Sequence, residues 1–385
     1  MSQKLFLPLW VISSFFLFLY SFTQVDLSLT LSRASIFQTF QKSFQYVGWF
    51  DRPLSTYLYI GVFVILFALY FWTIKLISQK KIERKVIWLT IFLVTIILGF
   101  SYNAFSYDLF NYIFDAKIVS FYNQNPYIHK ALDYPGDPML SFMRWTHRTY
   151  PYGLGWLALT VPISYIGSNI FIVTFYLFKI LMASFFILTV FSIERLGKTL
   201  KLDNILLPVV VFAFNPFILS ESLVSAHNDI VMMGLAMFGA YQLLSKKILK
   251  GTIIYFLSVS IKFVTALSIL IFFLLVGIKK TNHFIVLSAI AMIIGVILVT
   301  VRTNFQPWYL LYIAPFAALL FEKIYVKIPF LILSIAAVLY YIPFLYTGNW
   351  NPPIPAILNN FMLTAIVISI IGIVIATTLI RGKKA

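Results

Sequence analysis

The chain has 385 residues, 61% of them hydrophobic and only 11% charged, with a mean hydropathy of +0.93. A soluble domain averages about 25% charged residues, so this composition excludes a soluble globular protein; the apolar runs are helix-length, unlike the roughly 10-residue alternation of an outer-membrane barrel. The net charge of +17 is not a nucleic-acid footprint, because Lys and Arg fall in short groups between apolar runs and so report topology, and the lack of cysteine excludes disulfides and thiolate metal sites.

The expected fold class is an all-α membrane protein, a polytopic bundle of about ten spans. Lys4 followed by the apolar run Leu5 to Phe22 has no small-residue cleavage site after it and reads as a retained first helix. Residues 23–53 read as a loop with an amphipathic helix around Phe37 to Phe50. The spans are predicted at 5–22, 54–77, 86–102, 169–192, 205–220, 229–244, 283–301, 308–321, 328–346 and 356–380. Basic connections carry Lys80, Lys81, Arg84 and Lys85, then Arg195, Lys198 and Lys201, then Lys246, Lys247 and Lys250, then Lys323 and Lys327, and last the tail Arg381, Lys383 and Lys384. Placing all of these in the cytoplasm puts residues 103–168 outside. His283, beside Lys279 and Lys280, then falls on the cytoplasmic side and reads as bland.

Two segments resist that count. Gly153 to Gly167 is too short to cross and reads as a juxtamembrane helix on the outer face. Residues 252–277 have Lys on both flanks and must enter and leave on one side, as a re-entrant hairpin breaking near Lys262 would. The chain therefore reads as a single integral membrane domain, 1–385, with an extracytoplasmic loop at 103–168.

That topology gathers the polar clusters toward one face. The 101–153 stretch holds four of the twelve acidic residues and two of the four histidines. Asp108, Asn111, Tyr112 and Asp115 are spaced to share one face of a helix, the two carboxylates about 10 Å apart. That is too far to share a proton, and Asp108 stands where a lipid substrate's reactive atom would arrive. The plain alternative is that both acids solvate the helix or pair with Lys117. Asn125-Pro-Tyr127 and Thr149-Tyr150-Pro-Tyr152-Gly153 are aromatic turns that serve either as loop scaffold or as sugar surface. Arg144, His147 and Arg148 suit either a phosphate or the acids Asp133 and Asp137.

Glu221, His227, Asn228 and Asp229 lie at the mouth of the bundle, where such groups are costly unless paired or used. They suit sugar hydroxyls, a phosphate, or an interfacial cap. His227 and Asp229 offer a weak site for a divalent cation such as Mg or Mn. Lys262 sits in an apolar run, a placement that suits an anionic lipid phosphate or an outer carboxylate, with snorkelling to the headgroups as the alternative. Arg302 opens the stretch carrying Gln306, Trp308 and Tyr309 and breaks the charge trend, which favours a ligand or partner charge. Thr347 to Pro355 is the last polar cluster on this face.

Four blocks in order carry a likeness: SYDLFNYIFDAK; NPY followed by YPYG; NPFILSESLVSAHND; and IKF followed by QPWYLLYIAPF. Across about residues 100–320 they resemble the GT-C superfamily of polytopic glycosyltransferases, in particular bacterial mannosyltransferase-like members. The double-acid dipeptide of some GT-C branches is absent, and no large soluble C-terminal domain is expected. The resemblance implies an inverting hexosyltransferase using a polyprenyl-phosphate sugar, with mannose as the hexose. The acceptor would be a lipid-linked or cell-envelope glycan, on the extracytoplasmic side of a bacterial or archaeal cytoplasmic membrane. It maps the catalytic aspartate onto Asp108, with Asp115 supporting, and leaves the phosphate to Lys262, Arg302, Arg144 or His227. The competing reading is a transporter or flippase of lipid-linked sugars, which would need polar groups at mid-depth and on both faces.

Overall fold

The computed structural model describes residues 3–382. Lys383 and Lys384 of the basic tail lie outside the described residues. The chain's regular structure is all helical, with no strand among the described residues. In chain order the α-helices are α1 Phe6–Ser21, α2 Ser35–Gln45, α3 Arg52–Ser78, α4 Arg84–Gly99, α5 Asp108–Ser120, α6 Leu154–Ile166, α7 Phe171–Thr199, α8 Leu206–Ala213 and α9 Pro216–Leu219. The second half holds α10 Asp229–Leu244, α11 Ile248–Ile261, α12 Ala266–Gly277, α13 Phe284–Thr303, α14 Ala314–Leu319, α15 Ile324–Leu339, α16 Ile342–Thr347 and α17 Ile354–Gly382.

Six helical stretches among the described residues are long and apolar enough to cross a membrane: Phe6–Gln24, Arg52–Ser78, Phe171–Thr199, Thr281–Thr303, Ile324–Thr347 and Ile354–Ile380. A seventh results if α8 and Pro216–Val224, bent by 56°, count as one. The predicted spans 86–102 and 229–244 are shorter helices of 16 residues each, α4 and α10. The predicted span 308–321 is not one helix. It divides into a 3₁₀ stretch, Pro307–Tyr312, and the six-residue α14. Pro315 has no N–H to continue an α-helical ladder, and most of the segment is buried in the bundle.

The breaks have local causes. Pro216 holds Asn215 in an extended conformation (φ −68°, ψ 120°), which stops α8. The Asn215 side chain then caps the next turn, accepting from Phe217 N at 3.0 Å. The freed carbonyl of Val211 accepts from Tyr70 OH at 3.0 Å. After α9 the chain widens into a π-helical turn, Ser220–Val224, ahead of α10. The predicted break near Lys262 falls on that residue, which is extended (φ −142°, ψ 130°) between α11 and a 3₁₀ turn leading to α12. The helix predicted at Phe37 to Phe50 is α2 with a π-helical turn, Tyr46–Phe50.

Helix α6 packs on α5, α7 and α11. Its start is fixed by a close backbone approach: Gly153 N donates to Ile261 O at 3.0 Å. A Cβ on Gly153 would sit 2.1 Å from Ser260 O, and one on Gly155 would sit 1.9 Å from Ser260 Oγ. Only glycine lets the loop reach the α11 end there.

The two ends of α7 mark the two ends of the bundle. Near its start Phe171 and Phe175 meet Phe110 of α5. Near its end Glu194 receives Arg84 Nε at 2.8 Å, Trp88 Nε1 at 2.7 Å and Lys198 Nζ at 2.9 Å. The connections after α3 and α7 meet at this second end, where Asn204 Nδ2 donates to Ile77 O at 3.2 Å.

Candidate active site

The predicted face of α5 forms: Asp108 is the first residue of the helix, and Asn111, Tyr112 and Asp115 follow on the same side. Asp108 N donates to Ser106 Oγ at 3.1 Å, which fixes the turn into the helix. Its carboxylate faces His227, with Oδ2 3.6 Å from Nδ1. On the other side of the imidazole, Nε2 lies 3.2 Å from Glu221 Oε2. Neither ring nitrogen has a well-aligned hydrogen-bond partner, so these are ion-pair contacts. The ring stacks on Trp308, centroids 4.1 Å apart and planes 19° off parallel. Glu221 Oε1 accepts from Tyr341 OH at 2.9 Å.

The loop that delivers His227 owes its course to the π-helical turn. His227 N donates to Glu221 O at 3.0 Å, and Ala226 adopts φ 55° to turn the chain before α10. Next to it Asn228 Oδ1 accepts from Tyr112 OH at 3.3 Å. Asp229 then opens α10, where the helix N-terminus favours a carboxylate. Its Oδ1 is 2.6 Å from Lys262 Nζ. The Lys262 ammonium also lies 5.5 Å from the Tyr152 ring centroid, which Arg148 approaches to 5.7 Å. Segments far apart in sequence thus meet within a few ångströms.

Burial divides the cluster. The side chains of His227, Glu221 and Asp229 are at most 1% exposed, whereas Asp108 keeps 14% and Lys262 17%. One acid and one cation therefore face outward on a buried support. Burial pushes the Asp108 carboxyl up, but His227, Arg148 and Lys262 outweigh it and hold the group below the ordinary carboxylate value. For His227 burial acts downward; Asp108 and Glu221 overcome it and raise the imidazole to about 9. At neutral pH the ring is an imidazolium facing Asp108 and Glu221. Burial raises Asp115 to about 7, against the pull of Arg148, and its Oδ2 has no partner.

Several predicted residues stand apart from this cluster. Asn125 Oδ1 closes a turn by accepting from Tyr127 N at 3.0 Å, Tyr127 OH donates to Tyr152 O at 3.1 Å, and Tyr150 OH donates to Gly153 O at 2.9 Å. These are loop-building contacts. Asn111 Nδ2 donates to Tyr107 O at 3.3 Å. Arg144 lies over the Tyr107 ring and 3.9 Å from Asp26 rather than beside Asp133 or Asp137. His147 and Arg302 are exposed, with no ion-pair partner among the described residues. Gln306 precedes the 3₁₀ stretch, and Tyr309 OH lies 2.9 Å from Thr303 Oγ1. Thr347–Pro355 meets Arg52 at Gly348 and has no polar contact with Asp108 or His227 among the described residues. Lys117 pairs with Asp137 at 2.5 Å, not with Asp108 or Asp115. That pair borders a cavity of about 160 Å³ on another face of α5 and leaves it without a free charge.

Two contributors escaped the sequence reading. Tyr341 carries no local signal. Lys179 does: it is a lone lysine deep in the 29-residue apolar α7, the same kind of placement that singled out Lys262. Among the described residues no three His, Asp or Glu side chains gather to hold a metal ion.

The fold and the site define a polytopic helical membrane protein with a buried carboxylate–imidazolium–lysine cluster at one end of its bundle. Residues 13–279 match the family described as alpha-(1->6)-mannopyranosyltransferase, N-terminal domain, and the chain belongs to that family of mannosyltransferases. No curated protein and no solved structure matches it.

Proposed function

We propose that the chain transfers mannose from a polyprenyl-phosphate donor to a lipid-linked or envelope glycan, with Asp108 as general base. The observation that carries this is the outward pair, a carboxylate and an ammonium on one buried scaffold. The acceptor hydroxyl loses its proton to Asp108 as its oxygen bonds to the mannose anomeric carbon. The bond from that carbon to the phosphate oxygen breaks in the same displacement, and Lys262 meets the charge that develops on the phosphate. A phosphate is a good leaving group, so no general acid is needed. Single displacement inverts the anomeric carbon, and an α-linked product then requires a β-linked mannosyl phosphate.

His227 and Glu221 act behind Asp108: the imidazolium keeps the acid ionised, and the Trp308 face holds the ring. Residues 103–168 and the turn at Lys262 are the outer wall of the site, on the extracytoplasmic side of a bacterial or archaeal membrane. The apolar helices around that turn receive the polyprenyl tail. Transfer from polyprenyl-phosphate-mannose in vitro, with and without Asp108→Asn, is the direct test. A folded Asp108→Asn protein with full transfer would end the assignment, and assays in EDTA with restored Mg²⁺ or Mn²⁺ decide metal dependence.

A further inference from the structure

Lys179 is 1% exposed in the first third of α7. A buried ammonium is costly unless all of its donors are used, and no carboxylate lies within ion-pair reach of it among the described residues. Its Nζ has three acceptors instead: the carbonyls of Leu223 and Val224, the latter at 3.0 Å, and Ser101 Oγ at 3.2 Å. The Ser101 hydroxyl is free to accept because its own proton goes to Leu98 O.

The acceptors are not arbitrary positions. Leu223 and Val224 close the π-helical turn Ser220–Val224, which carries Glu221 and ends three residues before His227. The last carbonyls of such a turn have no partner within it, so a buried end needs an outside donor. Ser101 follows α4 and starts the strand of loop that leads to Asp108. One side chain therefore ties down both segments whose ends meet as Asp108 and His227.

We propose that Lys179 is a positioning residue for the Asp108–His227 pair, acting through backbone carbonyls rather than on substrate. This rests on the site reading above. The replacement Lys179→Met fills the same space and removes all three donors; Lys179→Gln keeps two. In purified, full-length protein, Lys179→Met is expected to lower kcat about 10- to 100-fold, the scale of a small misplacement of reacting groups. The donor KM should stay within about 3-fold, and Lys179→Gln should recover part of the loss. Combined with His227→Asn, Lys179→Met should add little further loss, since both changes undo the same arrangement.

Unchanged kcat in folded Lys179→Met, or fully additive losses with His227→Asn, would overturn the inference. Should Lys179→Met not fold, Ser101→Ala and Lys179→Gln carry the same test: lowered kcat at constant KM supports it, and wild-type kcat in both sinks it. Full activity in Asp108→Asn and His227→Asn would instead remove the site reading itself, a different outcome from loss of the lysine role alone.

Discussion

Two carboxylate clusters sit at opposite ends of α7, and they are built on different principles. Glu194 is saturated: Arg84, Lys198 and Trp88 supply donors to both oxygens, with Arg84 bidentate at 2.8 and 3.0 Å. In the cluster of Asp108, His227, Glu221 and Asp229 the last three are as deeply buried but left open, with Glu221 Oε2, Asp229 Oδ2 and both His227 nitrogens lacking an aligned donor or acceptor. A buried polar group kept incomplete costs stability. The Glu194 cluster is thus complete within the protein, whereas the proposed site leaves polar atoms available to a ligand.

The sharpest way to break that contrast is to neutralise one acid at each end. Asp108→Asn should lower kcat by about 10²- to 10⁴-fold and, by taking one acid from the buried His227, also lower the melting temperature. Glu194→Gln should leave kcat alone and cost about 1–3 kcal/mol of stability. Transfer assays and thermal unfolding on the same preparations read both, and the reverse pattern would refute the contrast.

Next in size is Lys262→Met, which should reduce kcat about 10²-fold by removing charge stabilisation from the leaving phosphate. It also strands Asp229, so the double variant Lys262→Met/Asp229→Asn should regain stability without regaining transfer.

A smaller effect is expected from pH. The folded His227 value of about 9 lies above its ordinary 6.5, so its contribution to stability is complete below the ordinary value and is lost as pH rises through about 9. kcat/KM should fall on the same limb, and His227→Asn should lack it. The mildest change concerns Asp115, whose folded value of about 7 is raised from 3.8 by burial. Its stabilising contribution is present below the ordinary carboxylate value and disappears as pH rises through about 7. Asp115→Asn should flatten the melting temperature over that interval and change transfer little.

Much of this is legible in the residues alone. The spacing of Asp108, Asn111, Tyr112 and Asp115 gave the helix face, and the flanking lysines of 252–277 placed the break at Lys262. What the sequence could not carry was pairing across distance. Nothing local to Trp308 says that it will lie under His227, or that Tyr341 will reach Glu221. The segment 308–321 misled because a hydropathy pattern does not distinguish a spanning helix from a buried, proline-broken one. For Asn125, Tyr127 and Tyr150 the residues alone leave loop scaffold and substrate surface open, and in the fold Asn125 Oδ1 and both tyrosine hydroxyls bond to loop backbone. Lys179 carries the same local signal as Lys262, a lysine within an apolar helical run, but nothing near it in sequence names its acceptors.

The close approach of Gly153 to the end of α11 also bears on biosynthesis. The loop leaves the ribosome about a hundred residues before Ser260 and Ile261 exist to receive it, Lys262 follows, and Tyr341 comes later still. No nascent fragment short of that tyrosine holds the complete site.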